Sequence, residues 1–270
     1  MFFLLFMVGC TVYAQRTPKI KGNRNVIEVR ETLPPFNAIE LNDDLDIHLQ
    51  ATGTEEYIIE ADDNLIDVLK FRVENETLII SSYYRITSKR KLDITINFAQ
   101  LNQITAKAGN IVCKDRFSTS YLEVNTLGSG RVDLDVDAYD LSLNMQGNSK
   151  GYFKVDSDTL NLVLLDKSDL KLYGVMEKTI LEMRLSAKAD LEGFTNELAF
   201  NLSGSSELKA SRLEANRLQA EMEGRTSAEI LSMKTVDLIS KGDAKTYVFG
   251  EGKINLLEFL DASELYRRKN

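Results

Sequence analysis

Cysteine, histidine and proline are all scarce in this chain, and each scarcity excludes a class of protein. The 270 residues include 2 cysteines and 1 histidine. We therefore expect neither a disulfide framework nor a metal site built from cysteine and histidine ligands. Only 3 prolines occur, none of them after Pro35, so no flexible linker marks a second domain. With 43% hydrophobic residues, the chain must draw its stability from one core rather than from cross-links.

Positive charge is also in short supply. The formal net charge is −8, and the only basic runs are Lys89-Arg90-Lys91 and the C-terminal tail, so we expect no nucleic-acid partner. The glycines precede strand-like segments rather than helices, which excludes the usual phosphate-binding glycine motifs. No cofactor is expected.

Long apolar runs are absent after the N-terminus. Phe2 to Val8 is uninterrupted but far too short to span a bilayer, and Val12-Tyr13-Ala14 resembles a cleavage site. We therefore predict a signal peptide over residues 1–14 and no transmembrane span in the mature chain. Val8-Gly9-Cys10 offers an alternative, a lipobox-like site that would leave a lipid anchor on Cys10. Either scheme exports the protein to the cell envelope: periplasm, outer-membrane surface or medium.

What the chain has instead is a repeat, seen first in LEVNTLGSGRVDL at residues 122–134. Apolar residues alternate with polar ones, a Gly-Ser-Gly corner follows at 128–130, and the alternation then resumes. From residue 108 onward the corner recurs at intervals of 17 to 21 residues, which is typical of a solenoid. The predicted corners are Asp43, Ala108, Gly128, Gly147, Asp166, Ala187, Gly204, Gly224, Gly242 and Ala262.

The positions six, four and two residues before each corner are mostly apolar, and so is the position four residues after it. A period of two indicates strands with one buried face. Because parallel crossovers are right-handed almost without exception, we predict a right-handed parallel β-helix of nine to ten coils of about 19 residues. The corner requires positive φ, which glycine and Asp166 tolerate. Ala108, Ala187 and Ala262 fit that requirement poorly.

Between Asp43 and Ala108 the repeat is interrupted. We assign residues 15–36 to a polar lead-in and 37–270 to one solenoid domain, with an excursion over 50–100 that caps its first edge. Within the excursion we predict a short helix over 64–70 capped by Asp62 or Asp63, a hairpin that turns at 74–76, and a strand through Leu92, Ile94 and Ile96.

Few residues are candidates for chemistry. His48 lies between two inward positions and is predicted to face outward as a bystander, and Cys113 is predicted to be a small buried residue. Asp133, Asp135 and Asp137 form a row on one outward face, which suits either Ca²⁺ or simple solvation; solvation is the favoured interpretation. Asp43, Asp44 and Asp46 form a second acidic patch with the same two interpretations. We predict no catalytic, cofactor-binding or metal-binding residue.

Several segments resemble a known family. FNAIELNDDLDIHL, EADDNL and the corners AKAGN, LGSG, MQGNS and LSGSSEL are similar to the bacterial envelope proteins described as "putative auto-transporter adhesin, head GIN domain". The resemblance covers residues 23–268. It implies a right-handed β-helix-like fold, export and an adhesive role, and it brings no catalytic residues.

Three functions remain open. The leading hypothesis is a non-enzymatic envelope protein whose solenoid surface binds an envelope or extracellular protein or glycan. A second is a polysaccharide-active enzyme, since Arg131 flanks the row of aspartates as in pectate-lyase-like β-helices, although the short coils leave no loops to wall a groove. A third is a periplasmic structural or stress-linked protein.

Overall fold

The repeated frame folds into strands that stack in parallel, one turn of the chain on the next. The computed structural model describes residues 18–268; the predicted leader and Cys10 lie outside the described residues. Val132 pairs with Gly151 and Gly151 with Leu170, so neighbouring turns are 19 residues apart. The chain is nearly all β and forms a β-solenoid of about nine turns, which confirms the predicted fold class.

The secondary structure consists of many strands and one short helix, α1 (Asp63–Ile66). In chain order the strands are β1 (Lys19–Lys21), β2 (Val26–Thr32), β3 (Ala38–Leu41), β4 (Asp46–Ala51), β5 (Glu56–Asp62), β6 (Leu69–Glu74), β7 (Thr77–Ser82), β8 (Arg85–Ser88), β9 (Leu92–Phe98), β10 (Gln103–Ala106), β11 (Asn110–Thr126), β12 (Arg131–Met145), β13 (Lys150–Leu164), β14 (Asp169–Met183), β15 (Lys188–Leu202), β16 (Glu207–Gly224), β17 (Ser227–Gly242), β18 (Lys245–Phe249), β19 (Lys253–Phe259) and β20 (Glu264–Arg267).

Each long strand bends once and so contributes to two sheets. In β12 the residues up to 138 pair in one register and those from 140 in another, and Tyr139 at the bend is unpaired. We call the sheet built from the first halves the post-corner sheet and the sheet built from the second halves the pre-corner sheet. Their inward side chains meet in one continuous core, to which each buried Leu or Val contributes about 1.5–3 kcal/mol.

The turn between successive coils is sharper and more regular than the sequence suggested. Its positive-φ residues are Gly109, Gly128, Gly147, Asp166, Leu185, Gly204, Gly224, Gly242 and Asp261. These positions are 18 to 20 residues apart. The predicted corners at Ala108, Ala187 and Ala262 are therefore wrong by one or two residues.

The Ala187 error has a clear physical cause. Its side chain is fully buried, whereas Leu185 takes the positive φ of 64° and leaves its side chain 58% exposed. An apolar residue at a corner imitates the alternation of a strand, so the pattern placed Leu185 inward.

The first rungs of the solenoid combine continuous and inserted strands. β3 lies between β10 and β7, and β4 lies between β11 and β9, all in parallel. The 50–100 excursion thus supplies β7 and β9 as one more rung, and antiparallel β6, β5 and β2 follow. Since β1 and β2 fall within residues 15–36, that lead-in contributes strands as well.

The predicted helix over 64–70 is wrong in length, because α1 ends at Ile66 and β6 begins at Leu69. Asp62 precedes α1 without a side-chain capping bond. Its buried carboxylate instead accepts hydrogen bonds from the main-chain N–H groups of Arg24, Arg90 and Lys91. The predicted hairpin is confirmed as β6 and β7, with Asn75 and Glu76 at positive φ, and the predicted strand through Leu92 is confirmed as β9.

Candidate functional site

The predicted row of aspartates lies on the outward face of the post-corner sheet. Asp133, Asp135 and Asp137 alternate with the buried Val132 and Leu134 and with Val136. Asp140 lies beyond the bend at Tyr139, on the pre-corner sheet, and does not join them. The three side chains therefore share one open strand face, as expected from the alternation.

The geometry of this carboxylate row does not suit a cation. Residues i and i+2 on a strand are about 6.6–6.8 Å apart, whereas the oxygens around Ca²⁺ lie within about 2.6 Å of the ion. Asp135 is already engaged, since its carboxylate accepts a hydrogen bond from the Arg116 side chain at 2.7 Å. That bond raises the pKa of the Arg116 guanidinium. Among residues 18–268, no group of three potential ligands is arranged to hold a metal ion.

The other residues singled out from the sequence have structural surroundings. His48 is exposed in β4 between buried Ile47 and Leu49. The Asp43 carboxylate accepts the Ser82 N–H at 2.8 Å, so this member of the second acidic patch holds β7 near the first corner. Cys113 is fully buried, and burial, with smaller contributions from Asp115 and Asp135, raises its thiol pKa to about 11.

Sequence analysis missed a row of exposed aromatic residues on the same post-corner face. Tyr152, Tyr173 and Phe194 are exposed on β13, β14 and β15. Tyr152 pairs with Lys171, two residues before Tyr173, and Tyr173 pairs with Glu192, two residues before Phe194. Each ring is thus one rung and two residues from the previous one, about 7–8 Å away between backbones. The signal was available: these rings occupy polar positions of the alternation.

Charged groups of both signs surround the aromatic row. A shallow depression of about 280 Å³ includes the first two rings. The Lys171 ammonium lies 5.5 Å from the centre of the Tyr152 ring. Arg212 pairs with Asp190 at 3.2 Å and with Glu192 at 2.5 Å. The charged residues that line the depression are Asp133, Lys154, Lys171, Asp190 and Glu192. Rings flanked by donors and acceptors on a rigid sheet can hold an amphipathic ligand, but they form no enclosed reaction centre.

A second concavity lies on the outward face of the pre-corner sheet. It measures about 600 Å³ and is lined by Ile180, Ala199, Ile239 and Leu257, with Glu182, Glu221 and Asp237 among its polar residues. Leu257 is 61% exposed. This pre-corner groove is more apolar than the aromatic row. No helix within residues 18–268 has the length and apolarity needed to cross a bilayer.

Comparison with known proteins supports the fold and the family. The family model described as "Putative auto-transporter adhesin, head GIN domain" matches residues 35–153 and 149–252. No curated protein matches the chain.

Solved structures share the architecture at low sequence identity. A "putative adhesin" from Parabacteroides merdae is 15% identical with a TM-score of 0.62, over 94% of this chain and 98% of that one. A "putative lipid binding protein" from Parabacteroides distasonis is 18% identical with a TM-score of 0.62, over 92% and 96%. A "putative adhesin" from the same species is 15% identical with a TM-score of 0.68, over 92% and 99%. Because the family model spans most of the β-solenoid, this chain belongs to the family described as putative auto-transporter adhesin, head GIN domain.

Proposed function

We propose that this protein is a non-enzymatic binding module of the cell envelope, and that its post-corner face binds a glycan through the aromatic row. The carrying observation is that Tyr152, Tyr173 and Phe194 are exposed on three successive rungs of a rigid sheet. Isolated exposed apolar residues are ordinary, whereas a contiguous patch marks an interaction surface. Tyrosine is favoured at such surfaces because it offers a broad apolar face and a hydroxyl on a short, stiff side chain.

A saccharide is the occupant that suits this mixture of groups. Its C–H faces can pack on the rings, and its hydroxyls can bond to the carboxylates and ammonium groups beside them, including Asp133 and Lys154. The depression is shallow, so we expect modest affinity per site and a gain from multivalent display. Export to the envelope is part of the proposal, supported by the predicted leader and by the family.

The test is a glycan array followed by titration with the best ligand. Loss of one ring removes about 1 kcal/mol of stacking, so we expect a Tyr152→Ala/Tyr173→Ala variant to bind about 30-fold more weakly. Tyr139→Ala is the matched control, since Tyr139 is equally exposed but lies at the bend, about 20 Å along the strand from the position that aligns with Tyr152. Unchanged binding by the double variant, or no ligand on a broad array, would defeat the proposal.

A second candidate function is binding of an acyl chain in the pre-corner groove. Its support is the apolar floor of that groove and a structural relative described as a putative lipid binding protein. Displacement of a fluorescent fatty acid, weakened by Ala199→Gln but not by the tyrosine substitutions, would favour it over the glycan.

An enzymatic role and a purely structural role receive less support. A polysaccharide-active enzyme using the carboxylate row would need two carboxylates converging on one bond, but these three lie along an open strand and Asp135 is bound to Arg116. Release of reducing ends from acidic polysaccharides, abolished by Asp135→Asn, would overturn the non-enzymatic proposal. A purely structural periplasmic role gives no reason for a row of exposed rings.

A further inference from the structure

Basic residues gather at one edge of the solenoid, next to the corners. Arg131, Lys150, Lys167 and Lys188 line a shallow depression of about 650 Å³ there, together with a single carboxylate, Asp169. We call these four cations the basic corner. In a chain of net charge −8, an excess of three positive charges in one depression departs strongly from the average surface.

The charges of the basic corner are not balanced as charges elsewhere on the solenoid are. Many basic residues bond to an acidic residue one rung away, as in the pairs Lys188–Glu207, Arg217–Glu197 and Lys245–Glu264. In contrast, Arg131 and Lys150 lie directly opposite each other on adjacent strands. Within the described part of the chain, neither they nor Lys167 has a carboxylate oxygen within 4.0 Å.

Like charges directly opposite on paired strands repel each other. An anion seated between Arg131 and Lys150 would relieve that repulsion. The arrangement therefore favours a negatively charged ligand, and the same residues contribute nothing to the stability of the free protein.

The donors form two rows along the solenoid axis. One row carries Arg131, Lys150, Asp169 and Lys188 at the starts of four successive strands, and the other carries corner side chains including Asn148 and Lys167. With about 4.8 Å per rung, the rows extend about 14 Å.

The corner main chain is already used. The Asn148 and Lys167 N–H groups donate to the Gly128 and Gly147 carbonyls of the preceding corners, at 2.7 and 2.9 Å. Only side chains remain to bind a ligand, which fits an extended chain lying along the axis better than a compact ion held by main-chain amides.

We propose that the basic corner binds the carboxylate or sulfate groups of a linear acidic polysaccharide that also contacts the aromatic row. This inference rests on the proposed glycan-binding function and specifies the glycan as acidic. Lys150 and Tyr152 are two residues apart on the same outward face of β13, so one chain can contact both. An anionic bilayer is a poorer occupant, because the same face carries Asp133, Asp190 and Glu192, which a flat negative surface would meet at once.

The experiment measures binding of polygalacturonate oligosaccharides and dextran sulfate, with neutral dextran, anionic phospholipid vesicles and a single-stranded oligonucleotide as comparison probes. We expect an acidic polysaccharide to bind, with an affinity that falls as salt is raised. The variant Arg131→Ala/Lys150→Ala/Lys167→Ala should bind at least about 30-fold more weakly at low salt. Its melting temperature should not fall, because it removes repulsion rather than a contact.

A charge-matched control is Lys178→Ala/Lys234→Ala/Lys253→Ala, which removes three exposed lysines outside the basic corner and should keep the affinity. If the two triple variants weaken binding equally, the effect is one of net charge and the basic corner is not the site. If vesicles or the oligonucleotide bind through the basic corner and the polysaccharides do not, the ligand class is wrong.

The inference and the proposed function fail in different ways. If a neutral glycan binds through Tyr152 and Tyr173 while the basic-corner variant leaves all binding unchanged, the glycan function stands and the acidic specificity falls. If no saccharide of either kind binds the protein, both fall.

Discussion

A column of small buried residues inside the corners gives the sharpest test of how the solenoid is packed. Each member follows the positive-φ residue by two positions, and its carbonyl accepts the N–H of the next rung, as Ser149 does from Asp169 and Ser168 from Lys188. The column runs through Gly130, Ser149, Ser168, Ala187, Ser206, Thr226 and Ala244. Within residues 18–268, the hydroxyls of Ser149 and Ser168 are buried without a hydrogen-bond partner. Ala187 and Ala244 show that alanine fits the same position.

Replacing either unpartnered serine by alanine should stabilise the protein. A buried hydroxyl that makes no hydrogen bond costs about 1–3 kcal/mol in desolvation, and the substitution leaves only a small void. We therefore expect Ser149→Ala and Ser168→Ala each to raise the free energy of unfolding by about 1 kcal/mol. For a domain of this size, that corresponds to about 2–4 °C in melting temperature.

Ser206→Ala is the control, because the Ser206 hydroxyl does donate a hydrogen bond, to the Ser203 carbonyl at 3.2 Å. We expect it to lower the free energy of unfolding by about 0.5–1 kcal/mol. Urea unfolding of the three variants, compared by midpoint at a common slope, separates the two effects. If Ser149→Ala and Ser168→Ala lower the midpoint as Ser206→Ala does, their hydroxyls have partners in solution, such as a buried water, and the reasoning is refuted.

Three further predictions follow from single residues. Leu185→Gly should stabilise the protein by up to about 1 kcal/mol, since positive φ strains an L-residue by about 1–2 kcal/mol and glycine loses part of that gain in chain entropy; Gly204→Ala should destabilise it, because its Cβ would lie 2.9 Å from the Leu185 carbonyl oxygen, and thermal melts showing the reverse order would contradict the corner assignment. Burial raises the pKa of the Cys113 thiol from 9.0 to about 11, so the stabilisation is complete below pH 9 and is lost as the pH rises through 11; Cys113→Ala should flatten stability over that range, and rapid reaction of the native thiol with Ellman's reagent at pH 8 would argue against its burial. Asp62→Ala removes three main-chain hydrogen bonds, so amide exchange at residues 24, 90 and 91 should accelerate far more than in the core of β14; uniform acceleration would show that Asp62 supports the whole fold instead.

The sequence was most informative where the period of two was unbroken. Leu122, Val124 and Val132 were expected inside, and all three are buried, because alternation alone decides which face of a strand is apolar. The outward position of Asp133 follows from the same rule.

Prediction from sequence failed where an apolar side chain served a different purpose. Leu185 reads as a strand residue by hydropathy, yet it forms a corner, and nothing local distinguishes the two. The helix predicted to extend to residue 70 failed for a related reason. Leu69 belongs to β6, which pairs along its length with β7, and a sheet partner overrides a weak helix preference.

The amino-acid sequence by itself determined the coil length, the strand faces and the family, since all three depend on residues that are near one another in the chain. Only the tertiary structure decided which side chains share a surface. The aromatic row and the basic corner each join residues about 20 positions apart, and their contact depends on the register between rungs. That register is set by main-chain hydrogen bonds between coils and by the φ angles that each corner residue can adopt.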